Sequence, residues 1–227
     1  MPIEKLISKE YARKLQQTIQ PDKATRSGEM ESDPVTEGPE TTHYSVADAE
    51  GNAVALTYSL NADFGANVVP DGTGIVLNKT MGDFDIWSGT APSEPNLIEP
   101  KKRPLSSMSP TIIAKYGRPV WILGSPGGPT IITTNVQIAL NLIDFKMNIA
   151  EAVSARRIYH GWKPDQTMVE QRATTKDSLT IYLKMGHMIR PMTWHFGPAM
   201  CIYIDWDQNI LFGAADPRSA DGAALGF

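Results

Sequence analysis

Glu40-Thr41-Thr42-His43-Tyr44-Ser45-Val46-Ala47-Asp48 is the stretch on which the reading of this 227-residue chain turns. Before it, residues 21–40 are mostly Asp, Lys, Ser, Glu, Pro and Gly with almost no apolar anchor, the composition of a mobile linker. From Thr41 onward the chain reads as a strand. A threonine at such a junction can become a catalytic N-terminus. Cleavage between Glu40 and Thr41 would free an α-amine beside the Thr41 hydroxyl, so that one residue carries both nucleophile and base. An α-amine titrates near pH ~8, close enough to neutrality to accept the hydroxyl proton with little loss of driving force. Threonine also favours strands for its fit to the pleat alone, so the junction needs support from the rest of the chain.

The strand predicts its partner. Residues 42–47 and 52–60 are both strand-like, and Asp48-Ala49-Glu50-Gly51 has turn chemistry, which together give a hairpin. Pairing Ala47 with Asn52 would set Thr41 opposite Tyr58, one residue from Ser59, and bring a second hydroxyl beside the nucleophile. Upstream, Ser8 can cap a helix through Tyr11, Leu15 and Ile19 that stops before Pro21 and is expected to dock on a partner surface. Downstream, Tyr116-Gly117-Arg118-Pro119 reads as the turn of a second hairpin whose return strand is residues 120–124. Ser125-Pro126-Gly127-Gly128 then leads into a helix whose apolar face is Ile131, Ile132, Val136, Ala139, Leu140 and Ile143. Asn148 and Glu151 predict a capping box for a helix through Arg157. Residues 177–185 read as a further helix, with Gly186 as its terminator. Residues 199–204 and 209–213 flank the turn Asp205-Trp206-Asp207-Gln208 as a last hairpin. The fold is therefore mixed, without an internal repeat.

Composition narrows the function. With 41% hydrophobic residues the chain can support a sizeable core. A net charge of −4, and no basic cluster beyond Lys101-Lys102-Arg103, argue against a nucleic-acid partner. The single cysteine, Cys201, excludes an internal disulfide and reads as a buried strand residue. No apolar run approaches the ~18 residues of a membrane span, and residues 1–20 lack a signal-peptide core, so any export signal is expected upstream. His43, His160, His187 and His195 form no His-Glu-x-x-His or Cys/His set, and no metal or other cofactor is expected. His43 reads as a packed strand residue rather than a base. A serine hydrolase built on Ser125 fails on spacing, because Leu123 stands where the nucleophile elbow needs its first glycine.

Two further groups suit acyl transfer. Gly127 and Gly128 lie between a strand and a helix start, where backbone N–H groups lack intrahelical partners, and two such donors make an oxyanion hole. Ser106 and Ser107 stand between Pro104 and Pro110, which stiffen the loop and direct the hydroxyls as binders of a small anion.

These motifs resemble, in order and approximate spacing, the gamma-glutamyltransferases (gamma-glutamyl transpeptidases, glutathione hydrolases). The resemblance rests on Thr41-Thr42-His43-Tyr44-Ser45-Val46, Asn61, residues 103–110 (Arg-Pro-Leu-Ser-Ser-Met-Ser-Pro), Gly124-Ser125-Pro126-Gly127-Gly128 and Asp216-Pro217-Arg218-Ser219, and it covers residues 41–227. It implies the α+β, four-layer αββα fold of N-terminal nucleophile (Ntn) hydrolases, here only its C-terminal half. Residues 1–40 would be the tail of the large subunit of a self-cleaving precursor and residues 41–227 the small-subunit catalytic region, with the remaining large subunit as partner. The implied substrate is a gamma-glutamyl amide such as glutathione, the acceptor water or an amino acid, and the compartment periplasmic or extracellular.

The resemblance also implies roles for single residues. Thr41 would be the nucleophile, with its oxygen hydrogen-bonded by Ser59, where the family often has threonine. Gly127 and Gly128 would hold the oxyanion. Ser106 and Ser107 would hold the substrate α-carboxylate, assisted by an arginine of the large subunit, while Asn61 and Asp83 would accept from its α-ammonium. Thr80 departs from the side-chain amide that many members use for that amine. The segment between Asp83 and Lys101, with three prolines and Trp87, matches a lid of some relatives in shortened form. Pro129-Thr130 replaces a frequent Ser-Arg, and Asp216-Pro217-Arg218 is expected to close the subunit near the site through an ion pair. Two alternatives stay open. Cephalosporin acylases of similar sequence hydrolyse a glutaryl chain without the amine, a reading that Asp83 opposes and Thr80 favours. A non-catalytic, truncated subunit is the other.

Overall fold

The computed structural model describes residues 3–28, 41–85 and 96–226. The Glu40 side of the expected cleavage bond, most of the linker and Trp87 lie outside them. Two short helices come first, α1 (Ile3–Leu6) and α2 (Lys9–Gln16). Ser8 caps α2 as expected, its Oγ accepting from Tyr11 N at 3.1 Å. The helix ends earlier than its apolar spacing suggested. Thr18 Oγ1 takes the Leu15 carbonyl at 2.7 Å, and the chain unwinds through tight turns towards Pro21.

Strands β1 (Thr41–Ala47) and β2 (Ala53–Ser59) form the first hairpin. Its turn closes one residue later than expected. The Asp48 carboxylate accepts from the backbone N–H groups of Glu50 (3.0 Å) and Asn52 (2.9 Å), and the Asn52 amide donates to it at 2.8 Å. Gly51, at φ +92°, completes the reversal with a conformation that suits a residue without Cβ. Asn52 is thereby spent in the turn, Ala47 pairs with Ala53, and Thr41 faces Ser59 instead of Tyr58. Thr41, His43 and Ser45 lie on the inner face, where Ser45 Oγ donates to the Met200 carbonyl at 2.8 Å. Tyr44, Val46, Val54, Leu56 and Tyr58 are exposed on the other.

Strands β3 (Thr111–Lys115) and β4 (Arg118–Leu123) follow, joined by Tyr116 and Gly117, both with positive φ. The return strand starts at Arg118 rather than residue 120. A register shift between Ile113 and Ala114 lets it carry Pro119, which has no N–H to give the ladder. A 3-10 turn at Gly128–Thr130 opens α3 (Ile131–Ile143). Its buried face is Ile131, Thr134, Asn135, Ile138 and Leu142, whereas the expected Ile132, Val136, Leu140 and Ile143 are exposed. The cause is Asn135, whose amide donates to the Ser109 carbonyl (2.6 Å) and Oγ (3.1 Å) and so rotates a polar position inward.

Helix α4 (Ile149–Ser154) has the expected capping box but stops three residues short of Arg157, because Ala155 is extended. Strands β5 (Ile158–His160), β6 (Thr167–Val169) and β7 (Ile189–Pro191) form a small sheet in that order. Between β6 and β7 lies α5 (Lys176–Lys184), closed at Gly186 by bonds from Gly186 N to Leu183 O and His187 N to Tyr182 O, both 3.0 Å. The last hairpin, β8 (Met200–Asp205) and β9 (Ile210–Ala215), joins the second to give an antiparallel sheet of order β3-β4-β8-β9. The core lies between this sheet and α3 and α4, and includes Leu123, Ile138, Leu142, Val153, Ala199 and Cys201. Burial pushes the Cys201 thiol up to about 12, so it is un-ionised packing.

Candidate active site

The register of the first hairpin creates the centre of the site. Thr41 Oγ1 donates to Ser59 Oγ at 3.1 Å, and Ser59 Oγ also accepts from Asn61 N at 2.9 Å. Asn61 takes a left-handed backbone, φ +66°, which asparagine tolerates better than most residues. The chain thereby turns and aims the Asn61 amide at Asp83, its Nδ2 donating to Oδ1 at 2.8 Å. Asp83 ends a 3-10 turn, Thr80–Asp83. Burial pushes its carboxyl above the ordinary range against the opposing effect of the Asn61 bond.

Asn96, which sequence reasoning missed, joins this turn to the serine loop. Its amide donates to the Asp83 carbonyl at 2.8 Å and its oxygen accepts from Leu105 N at 2.9 Å. Ser106 Oγ accepts from Met108 N at 3.2 Å, and Asn135 holds the far end of the loop at Ser109. Thr41, Ser59, Asn61, Thr80, Asp83 and Ser106 all line one narrow cleft, with Met108, Gly128 and Ile131 completing it. Of the expected site residues, Ser107 and Gly127 are adjacent in sequence to lining residues without lining the cleft themselves. Ser107 is buried.

Gly127 (φ +130°) and Gly128 (φ +54°) both need a backbone that side chains disfavour. A Cβ on Gly127 would stand 2.7 Å from Thr130 Oγ1 and 3.2 Å from Gly197 Cα. His43 lies two residues along β1 from Thr41. It is buried, with Nδ1 2.8 Å from Thr57 Oγ1 and Nε2 3.2 Å from Ser45 Oγ, and burial lowers its pKa to about 4. It is neutral packing at pH 7, as the sequence suggested. Ser125 is fully buried and presents no hydroxyl to the cleft. Among the described residues no group of three or more His, Cys, Asp or Glu could hold a metal ion.

The arrangement brings two hydroxyls into contact and sets a carboxylate, a serine and the Gly128 backbone in the same cleft. The family model described as Gamma-glutamyltranspeptidase matches residues 1–226. The chain belongs to the gamma-glutamyltranspeptidase family. It is 40% identical over 235 residues to the glutathione hydrolase proenzyme of Escherichia coli (strain K12), covering 100% of this chain and 40% of that protein. It is likewise 40% identical over 240 residues to that of Pseudomonas sp. (strain A14), covering 100% and 42%. The chain thus spans about 40% of the length of these curated relatives. The crystal structure of the Helicobacter pylori gamma-glutamyltranspeptidase T380A mutant aligns with TM-score 0.73 and 42% identity, covering 78% of this chain and 100% of that one. The cephalosporin acylase of Bacillus halodurans aligns with TM-score 0.81 and 26% identity, covering 98% and 39%. The fold is that of the Ntn hydrolases, α+β as expected.

Behind the cleft lies a buried ion cluster of which the sequence showed one edge. Asp216 and Arg218 do pair, Oδ1 to Nη1 at 2.9 Å. Asp216 Oδ2 also meets Arg157 Nη2 at 2.6 Å, and Arg218 Nη2 meets Glu170 Oε2 at 2.7 Å. Burial pushes the Glu170 carboxyl up, but bonds from Arg218 and from the N–H groups of Arg157 and Phe196 outweigh it and hold it below the usual range. Arg157 Nη1 donates to the Gly197 carbonyl at 2.7 Å, and a Cβ on Gly197 would run into the Pro126 carbonyl. The cluster therefore backs the glycine loop. Its signal in the sequence was weak: Arg157 and Glu170 each sit beside a short apolar run that looks like strand.

Proposed function

We propose that this chain carries the acyl-transfer machinery of a gamma-glutamyl transferase and hydrolase acting on glutathione or related gamma-glutamyl amides. Residues 1–40 are read as the tail of a large subunit and residues 41–227 as the catalytic small subunit. The observation that carries the reading is the Thr41–Ser59 hydroxyl pair in the same cleft as Asp83, Ser106 and Gly128.

In this reading the Glu40–Thr41 bond is cut and the new α-amine of Thr41 takes the hydroxyl proton as the oxygen attacks the gamma carbonyl. Ser59 orients that oxygen. Negative charge gathers on the carbonyl oxygen and meets the N–H groups of Gly127 and Gly128. Collapse expels the amine, which leaves with the proton held by the Thr41 α-amine, and the glutamyl group remains as an ester on Thr41. Water or an amino acid then attacks the ester and restores the hydroxyl. Asp83 and Asn61 accept from the substrate α-ammonium, while Ser106 and Ser107 donate to its α-carboxylate. The rest of the precursor, read as the large subunit, completes the site, and the compartment is periplasmic or extracellular.

A glutaryl acylase of the cephalosporin acylase kind is the second reading, favoured by Thr80 and by the likeness to the Bacillus halodurans protein. Mass spectrometry of the purified protein, with a gamma-glutamyl anilide assay, tests the first. The expected result is a fragment beginning at Thr41 whenever turnover is present. Turnover by a protein with any other mature N-terminus removes the assignment.

A further inference from the structure

We propose that Thr130 is a positioning residue that sets the direction of the Gly128 N–H, and with it the strength of oxyanion stabilisation in this chain. The inference rests on the reading of Gly127 and Gly128 as oxyanion donors. The Gly127 carbonyl accepts two bonds from one residue, Thr130 Oγ1 at 2.8 Å and Thr130 N at 3.2 Å. In a trans peptide the C=O and the following N–H point in opposite directions. Fixing the Gly127 oxygen on Thr130 therefore turns the Gly128 N–H the other way, and Gly128 is the glycine of the pair that lines the cleft with Thr41. Position supplies the rest: Gly128 heads the 3-10 turn, where N–H groups have no intrahelical acceptor.

The brace is needed because the peptide is intrinsically loose. Both residues flanking it are glycines at positive φ, where rotation of the plane meets little steric resistance from side chains. Thr130 is itself buried, at 6% exposure, so its hydroxyl does not exchange this acceptor freely for water. From the other side, Gly197 seats against Gly127, and Arg157 holds the Gly197 carbonyl. The plane is thus held by a hydroxyl on one side and a backbone wall on the other. Only the hydroxyl can be deleted without changing shape.

Thr130→Val exchanges that hydroxyl for a methyl, Thr130→Ser restores it, and Gly127→Ala forces the loop itself, pressing a Cβ on both Gly197 and Thr130 Oγ1. Each is made in the assembled, processed enzyme. The readouts are kcat and KM for a gamma-glutamyl anilide, and the affinity of a boronic acid bearing the glutamyl side chain. That boronate forms a tetrahedral adduct with an anionic oxygen where the oxyanion would develop. Removing an oxyanion donor outright lowers kcat about 100- to 1,000-fold; loosening one that keeps its second, backbone bond should lower it about ten-fold. We expect Thr130→Val to lose about ten-fold in kcat and in boronate affinity with KM within about two-fold, and Thr130→Ser to recover most of both. A loss that serine does not recover means that packing, not the hydroxyl, was at work, and overturns the proposal. A loss in Gly127→Ala with none in Thr130→Val also overturns it while leaving the oxyanion reading intact. No loss in either variant removes the oxyanion reading itself.

Discussion

The Asn61 amide donates to one oxygen of the Asp83 carboxylate at 2.8 Å, so Asp83 enters the cleft already oriented and already partly desolvated. A carboxylate held in this way suits a cation. An ammonium can pair with it, whereas a ligand without one leaves a partly desolvated charge uncompensated.

Substrate choice should follow. Asp83→Asn is expected to lower kcat/KM for a gamma-glutamyl anilide by at least about ten-fold more than for the matched glutaryl anilide. Thr80→Gln, which supplies a longer amide beside the amine, should move the ratio the opposite way. An unchanged ratio in Asp83→Asn would place the amine elsewhere and favour the glutaryl acylase reading.

The hydroxyl pair gives a graded test. Thr41→Ala should abolish both processing and turnover. Ser59→Ala should fold normally and lose one hydrogen bond to the nucleophile, raising the barrier by roughly 1–3 kcal/mol, about ten- to a hundred-fold in kcat. Full activity in Thr41→Ala would end the proposed mechanism.

Acid should destabilise the fold in a definite window. His43 has a folded pKa of about 4 against an ordinary value of 6.5, so between those limits the unfolded chain binds more protons. Stability is then full above about pH 6.5 and falls as pH drops towards 4, by up to about 3 kcal/mol. Glu170, also depressed, contributes stability that is present above its unfolded pKa and lost below that range as pH falls through its folded value. Urea unfolding of wild type and His43→Gln from pH 7 to 4 should show the slope in the first and a flatter line in the second. Parallel lines would mean that His43 does not carry the effect.

The ion cluster should behave as a unit. Glu170→Ala leaves Arg218 short of a buried partner and strips acceptors from Arg157 N and Phe196 N, at a cost of about 3–5 kcal/mol. Denaturant midpoints at pH 7 measure it. A change below about 1 kcal/mol would show that water repairs the site.

Local signals read from sequence held where the responsible atoms are close in the chain. The Asn148–Glu151 box, the Gly186 terminator and the three hairpins each depend on residues a few positions apart. The register of the first hairpin was misread by one residue because Asp48 reaches past the turn to Asn52, a side-chain choice that strand patterns do not encode. The inward face of α3 was misread because a distant serine, Ser109, satisfies Asn135, so counting apolar positions selected the wrong stripe. The strands β5, β6 and β7 are three residues each, too short to display a period. In the site, Thr41, Ser59, Asn61, Thr80, Asp83, Ser106 and Gly128 share one cleft while Ser107 and Gly127 stand beside it, and Asn96 and Arg157, which hold backbone carbonyls and N–H groups far along the chain, left little local mark.

The imidazole of His43 rests directly on Gly124, where any Cβ would collide with the ring. His43 is two residues beyond Thr41 on β1, and Gly124, just past the end of β4, is three residues before Gly127. The His43 side chain therefore limits how closely the strand carrying Thr41 approaches the chain that leads into Gly127 and Gly128. Substitution at position 43 would then be limited by size rather than by basicity, and any enlargement at position 124 would have to be answered by a smaller side chain at 43. Two positions about eighty residues apart in sequence would thus vary as a single dimension of the enzyme.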